Sequence, residues 1–308
     1  MTSQRAGKTT RAIYIANLVA QGAIVVTGAT VRVTGSGLGC PTWPQCVEGS
    51  YTPTVHQEQA WHKYVEFGNR SLTFILVVLA VAALVAAVID QQQRMKRGGN
   101  RRGMLLLLAA IPFLGTVAQA VLGGITVLTG LSAITVASHL LVSMILIAGC
   151  AALVIRSGDE GDARPTLLVR KEIRVLTWVL LAVTGIIVMI GTVVTGSGPH
   201  SGDAKAEHRF SFDPRMVSWL HADVVLLFIG LTIALLLALH LTKAPAAAIR
   251  LTWILVAISL IQATIGYTQY FTGLPIVLVL FHVTGAVLLW NTMLFIPSKE
   301  RVRNSVSA

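Results

Sequence analysis

Eight stretches of the chain stay apolar for about 20 residues, at roughly 13–31, 65–89, 104–126, 136–155, 175–195, 216–240, 251–271 and 276–296, with polar segments between them. A membrane-spanning helix needs about 20 mainly apolar residues, so each run predicts one span and the set predicts an all-α integral membrane protein. The first run is too long for the core of a cleavable signal peptide and lacks a clear small-residue cleavage site, so it is expected to persist as span 1. No Arg/Ser-rich presequence precedes it, which favours a bacterial plasma membrane.

Composition agrees with the pattern. Of 308 residues, 54% are hydrophobic and 12% charged, and the mean hydropathy of +0.73 exceeds that of an ordinary soluble domain. The formal net charge of +11 raises the question of nucleic acid, but the distribution of charge answers it. Of 24 Lys and Arg residues, 18 fall in the segment before span 1, the connections 2/3, 4/5 and 6/7, and the tail. The positive-inside rule then places both termini in the cytoplasm. "RMKRGGNRR", Arg94 to Arg102, is the clearest such marker; it reads as a topology signal beside anionic lipid, and no nucleic-acid-binding fold accompanies it.

The chain also repeats itself. "QAVLGGITVLTGLSAITVASH", from Gln119 to His139, and "QATIGYTQYFTGLPIVLVLFH", from Gln262 to His282, share Gln, Gly, Thr-Gly-Leu and the final His in one register, and "VTGSG" occurs at Val33 and again at Val194. Spans 1 to 4 therefore correspond to spans 5 to 8. Four spans return the chain to its starting side, so the halves are parallel copies, and two tandem four-helix bundles are expected. The predicted division is a first bundle over 1–155, a cytoplasmic linker over 156–174, a second bundle over 175–296 and a tail over 297–308.

Three histidines, His139, His221 and His282, fall near the starts of spans 4, 6 and 8, at one depth below the outer boundary. Ionisable residues inside a membrane are expensive and usually face the bundle interior with a functional partner. Imidazoles from two facing helices at equal depth suit the axial positions of a haem iron, with His221 and His282 as the pair in the second half. Zinc fits less well, because the second half offers no third ligand at that depth; Asp223 is turned away by its two-residue offset. Gly123, Gly124, Gly266 and Gly285 suit either a macrocycle against the backbone or close helix packing.

Aligning "YVEFGNRS" in span 2 with "MVSWLHAD" in span 6 sets Asn69 opposite His221 and Glu66 opposite Ser218. With "VTGSGLGCPTWPQC", "QAVLGGITVLTGL", "VTGSGPHSGD" and "IGYTQYFTGLPIVLVLFH" in that order, the chain resembles the haem A synthase family over nearly its whole length. The resemblance implies an enzyme that oxidises the C8 methyl of haem O to a formyl group, by two hydroxylations and loss of water from the resulting diol. It implies haem b on His221 and His282, and substrate haem O near His139 and Glu66. The family's second span typically reads Glu-x-x-His-Arg, whereas this chain reads Glu-x-x-Asn-Arg. An amide is a poor iron ligand, and His62, two turns away along the same helix, would need a helix break to replace it.

Glu66, three residues from Asn69 on one face, would suit proton transfer in a poorly hydrated site. Its bland alternative is an ion pair with Arg70 that closes the helix mouth. Arg70, with Arg32 and Arg215 at the outer rim, has the fork geometry for haem propionates; snorkelling to the interface explains Arg32 and Arg215 equally well. Cys40 and Cys46 lie close together in an outer loop and are expected to form a disulfide, either stapling that loop or, as the resemblance implies, taking part in redox chemistry. Cys150 reads as a buried filler. His56, His200, His208 and His240 are assigned to no iron.

"GSGLGC" follows a span and enters a Pro-rich loop, so it is no dinucleotide fingerprint. Two other classes compete: a non-enzymatic b-type cytochrome that carries electrons, and a small-molecule transporter built on the duplicated bundles. Expected partners are membrane lipid, haem O, a haem O synthase that delivers it, and a second copy of the chain, with no nucleic acid.

Overall fold

The computed structural model describes residues 6–98, 101–204, 206 and 209–303. Eight helices follow the predicted runs: α1 (Lys8–Val33), α2 (His62–Lys96), α3 (Gly103–Leu128), α4 (Ala133–Ser157), α5 (Lys171–Ser197), α6 (Pro214–Leu241), α7 (Ala246–Phe271) and α8 (Ile276–Lys299). All eight are long and apolar enough to cross a membrane, and the protein is a multi-pass membrane protein. A helix satisfies its backbone within the segment, which the hydrocarbon core demands. Large apolar side chains such as Phe74, Ile145 and Phe281 accordingly point outward into the space lipid would fill.

Helix ends follow local chemistry. Asp213 caps α6 by accepting the Arg215 N–H, with Pro214 at the first helical position. The repeated Thr-Gly-Leu builds the same turn twice. Gly130 and Gly273 have φ of +61° and +77°, which glycine adopts without penalty. The following N–H closes back on the preceding helix, Leu131 to the Thr126 oxygen and Leu274 to the Gln269 oxygen, as helix C-termini commonly do. This turn fixes the stagger of α3 on α4 and of α7 on α8.

Packing is cyclic within each half. Each of α1 to α4 packs on the next and α1 closes on α4; α5 to α8 do the same. The halves meet through α4 against α8, with α1 on α8 and α5 on α4 as matching contacts, an arrangement consistent with two tandem bundles about a twofold that exchanges α4 and α8. One core gathers Tyr14, Ala83, Ile147 and Leu153 of the first half. The other gathers Leu180, Phe228, Leu235 and Met293 of the second.

The face that bears both termini holds structure the apolar pattern did not announce. The linker and the tail pair as two short antiparallel strands, β1 (Thr166–Leu167) and β2 (Arg301–Val302). Asp159 meets Arg156 at 2.7 Å and Arg301 at 3.3 Å. Arg102, the end of the basic run, is buried against Asp162 at 3.1 Å. Glu300, wholly buried, accepts from Thr177 Oγ1 at 2.5 Å and from Arg174 at 3.0 Å. Burial holds the Glu300 carboxyl above its ordinary range, a rise that those two bonds only partly offset. Glu300→Ala is expected to destabilise the protein by about 3 kcal/mol, because it leaves Arg174 without its buried partner. A drop in the thermal unfolding midpoint of the detergent-solubilised protein checks this, and an unchanged midpoint contradicts it.

Candidate haem-binding site

His221 and His282 face each other across the second half, their ring centroids 6.4 Å apart and their planes inclined at 69°. His282 and His139 each lie six residues into their helices, and His221 lies seven residues into α6. A glycine of the preceding helix makes room for each ring. A Cβ added at Gly191 or Gly266 would stand 3.4 Å from Cε1 of His221 or His282, and one at Gly123 would stand 3.3 Å from Cε1 of His139. The buried Nδ1 atoms of all three have no partner at hydrogen-bonding geometry, although the Ile187 backbone oxygen lies near enough to interact with His221. A metal–imidazole bond of about 2 Å on each side, plus about half a ring each, separates two axial rings by about 6 Å. The pair therefore fits a single iron between two imidazoles. Among the described residues no group of three His, Cys, Asp or Glu side chains comes together, so no zinc-type ligand set forms there.

The first half keeps one of the two imidazoles. His139 sits on Gly123, and Gln119 one turn earlier donates to the His139 oxygen at 3.0 Å and to Ser143 Oγ at 2.6 Å. Asn69 lies seven residues into α2, as His221 does in α6, and its Oδ1 accepts from Thr27 Oγ1 at 2.7 Å. α2 runs unbroken from His62, whose Nδ1 bonds Ser36 Oγ at 2.9 Å and whose ring stacks on Trp61. His62 therefore remains at the helix mouth and does not replace Asn69. Two of the four glycines face something other than a histidine: Gly124 lies against the Trp43 indole and Gly285 against the Gln262 side chain. For Gly285 the helix-packing role is the one observed, whereas Gly124 makes room for the loop tryptophan.

The outer loop closes over this half. Cys40 and Cys46 form a disulfide and are fully buried. Glu66 accepts from the Cys40 N–H at 2.5 Å through one carboxylate oxygen and from Arg70 at 2.7 Å through the other. Arg70 also donates to the backbone oxygens of Cys40, Thr42 and Gln45. A single Glu–Arg pair thus pins both ends of the disulfide ring to the mouth of α2, with Trp43 carried onto Gly124 of α3. The signal for this closure is the "CPTWPQC" segment, where sequence reasoning noted the cysteines and passed over the tryptophan.

The remaining candidates join the loops. Arg32 donates to the His200 oxygen at 2.8 Å and to the Thr195 oxygen at 3.0 Å, so it ties the halves together at the rim. His200 Nε2 bonds the Leu274 oxygen at 3.0 Å. Arg215 lies over Trp219 on an exposed rim, consistent with interfacial placement. His240 accepts from Trp253 at the far end of α6, His56 is exposed, and His208 lies outside the described residues. Cys150 is buried and accepts from Asn17 Nδ2 at 3.5 Å.

The family model described as cytochrome oxidase assembly protein, COX15-CtaA, matches residues 11–294, which takes in both halves, all three helical histidines and the disulfide loop. The chain belongs to that family. Over 55 residues it is 33% identical to the heme A synthase of Geobacillus thermodenitrificans, a match that covers 18% of this chain and 16% of that relative. The chain thus spans less than two thirds of that relative's length in this match. Within the cytochrome oxidase assembly family, the member described here carries two sets of four helices with matching contacts and unlike histidine complements.

Proposed function

We propose that the protein is a haem A synthase, an oxidoreductase that converts the C8 methyl of haem O to a formyl group. The observation that carries this reading is the pair of facing imidazoles at 6.4 Å in a chain of the cytochrome oxidase assembly family. The second half, 175–296, would hold haem b between His221 and His282, where the group supplies one-electron redox chemistry. The first half, 1–155, would hold haem O on His139, with Asn69 on the opposite helix and the disulfide loop as a roof. Each hydroxylation replaces one C–H of that carbon with C–OH; where water supplies the oxygen it releases two protons and two electrons, the electrons passing to an electron acceptor, and the diol then loses water. Glu66 and Arg70 lie at the roof, where the carboxylate would exchange a proton and the guanidinium would hold the loop.

The basic face with both termini is cytoplasmic in this reading, and the histidines lie towards the outer side of a bacterial plasma membrane. Haem O, an apolar substrate, would reach the first half through the bilayer from a membrane-bound haem O synthase, alone or with a second copy of the chain alongside. Purified protein is expected to contain haem b together with haem O or haem A, and to form haem A from added haem O when an electron acceptor or donor is supplied. Haem extraction and mass analysis check both. Haem b alone, with added haem O unconverted, would instead support an electron-carrying cytochrome, and protein without haem would support a transporter.

A further inference from the structure

The interiors of the two halves differ below the histidines. Along α1, Tyr14, Asn17 and Gln21 recur on one face and are buried to 0%, 0% and 4% exposure. Asn17 bonds Cys150 of α4 at 3.5 Å, Gln21 bonds Thr116 of α3 at 2.9 Å, and three residues beyond Thr116 comes Gln119, which bonds Ser143 and the His139 oxygen. At 1.5 Å per residue these groups rise from about 9 Å to about 24 Å above the starts of α1 and α3. Polar side chains from three helices therefore climb from the face with the termini to His139. At the foot, Asp90 and Arg102 lie near enough to Tyr14 to act on it electrostatically, and Asp90 pairs with Arg94.

This line is only half satisfied by protein. Tyr14 Oη, Asn17 Oδ1 and Gln119 Oε1 are buried without a partner, as are Gln91 Nε2 and Arg94 Nε at the foot. Each such group is destabilising if it stays unpaired, and buried water typically satisfies groups of this kind with about three hydrogen bonds. The second half contrasts. Its core is Leu180, Phe228, Leu235, Leu255 and Met293. Its buried Thr184, Thr232, Thr252 and Ser259 each bond a carbonyl one turn back and ask for nothing further. Gln262, a buried amide, and the unpartnered Asn291 Oδ1 and, towards the outer end of α7, Gln269 Oε1 are the exceptions there.

We propose that the first half holds a file of water from the face with the termini to the His139 pocket, and that this file conducts protons. Each proton that enters at one end is matched by one that leaves at the other, so the step needs no oxidant or reductant. Its purpose rests on the function proposed above. Oxidising a methyl group exchanges protons with water, and the disulfide loop roofs the pocket from the opposite side. The existence of the file does not rest on that function, and it can be tested without turnover.

The test is hydroxyl-radical footprinting of the full-length protein in lipid nanodiscs, with radicals made by radiolysis of water and sites read by mass spectrometry. Tyr14 and Cys150 are expected to be modified, whereas Phe228 and Met293, which are equally buried, remain unmodified. Asn17→Leu should reduce labelling of Tyr14 and Cys150 to the level of Met293 while the low-spin haem spectrum is kept. Gln21→Leu serves if that variant fails to fold, with loss of labelling expected at His139, which lies beyond Gln21 from the face with the termini, while Cys150 stays labelled. Protection of Tyr14 and Cys150 in the parent, or labelling unaltered by a folded variant, overturns the proposal. A protein that labels as expected but never converts haem O would keep the water file and remove the proposed activity.

Discussion

His282→Ala is expected to abolish the low-spin b-type spectrum while leaving the protein folded in the membrane. The ring of His282 stands 6.4 Å from that of His221, and an iron held between them as proposed would lose one of its two imidazole nitrogens when either is removed. The remaining haem would be five-coordinate or water-ligated, hence high-spin, and more easily lost. Alanine is a good helix former, so α8 should persist, and the space left beside Gly266 lies at a site shaped for a ring and away from the second core. His139→Ala should leave this spectrum intact, because His139 belongs to the other half. Gly266→Val gives an independent check, since its Cβ would already touch Cε1 of His282 at 3.4 Å and the valine methyls beyond it would displace the ring. Absorbance of the reduced protein and electron paramagnetic resonance of the oxidised protein read both. An unchanged low-spin signal in His282→Ala would end the assignment.

The parts of this picture that were legible in the sequence are those with a period or a repeat. Runs of about 20 apolar residues mark spans because bilayer thickness sets their length, and all eight appeared where the runs lie. The Gln-to-His repeat fixed the registers of His139 and His282, because one Thr-Gly-Leu turn sets the stagger in both halves. Contacts between distant short segments left no such trace. Two-residue strands have no alternation to detect, so the pairing of Thr166–Leu167 with Arg301–Val302 was not anticipated. Arg102 looked like one more surface charge, yet three helices and a linker meet around it. The glycines looked alike in sequence, but Gly123 and Gly266 face imidazoles while Gly124 and Gly285 face Trp43 and Gln262. Which neighbour fills a glycine's space depends on a loop or a rotamer, and neither follows from spacing.

Glu66→Gln is expected to leave both haem sites loaded and to slow conversion of haem O by about 10²-fold or more, the usual scale for removing a general acid or base. Glutamine keeps the size of the side chain and can still accept from the Cys40 N–H. What it loses is the exchangeable proton and the charge opposite Arg70. Arg70→Gln separates these two losses, because it frees the loop carbonyls of Cys40, Thr42 and Gln45 but leaves the carboxylate in place. If Glu66 works only as a staple, both variants should loosen the loop and slow the reaction together; if it moves protons, Glu66→Gln should be the slower enzyme with the tighter loop, as read by proteolysis between Thr52 and Gln59. Asn69 completes the test. It occupies the place of His221, but the register of the repeated "VTGSG" puts Thr30 where the other half has Gly191, the residue that makes room for the ring. Asn69→His alone is therefore expected to crowd Thr30, whereas Asn69→His with Thr30→Gly should turn the substrate haem from high-spin to low-spin. Parental turnover in Glu66→Gln, or a parental substrate haem already held by two histidines, would show that the first half works by another arrangement.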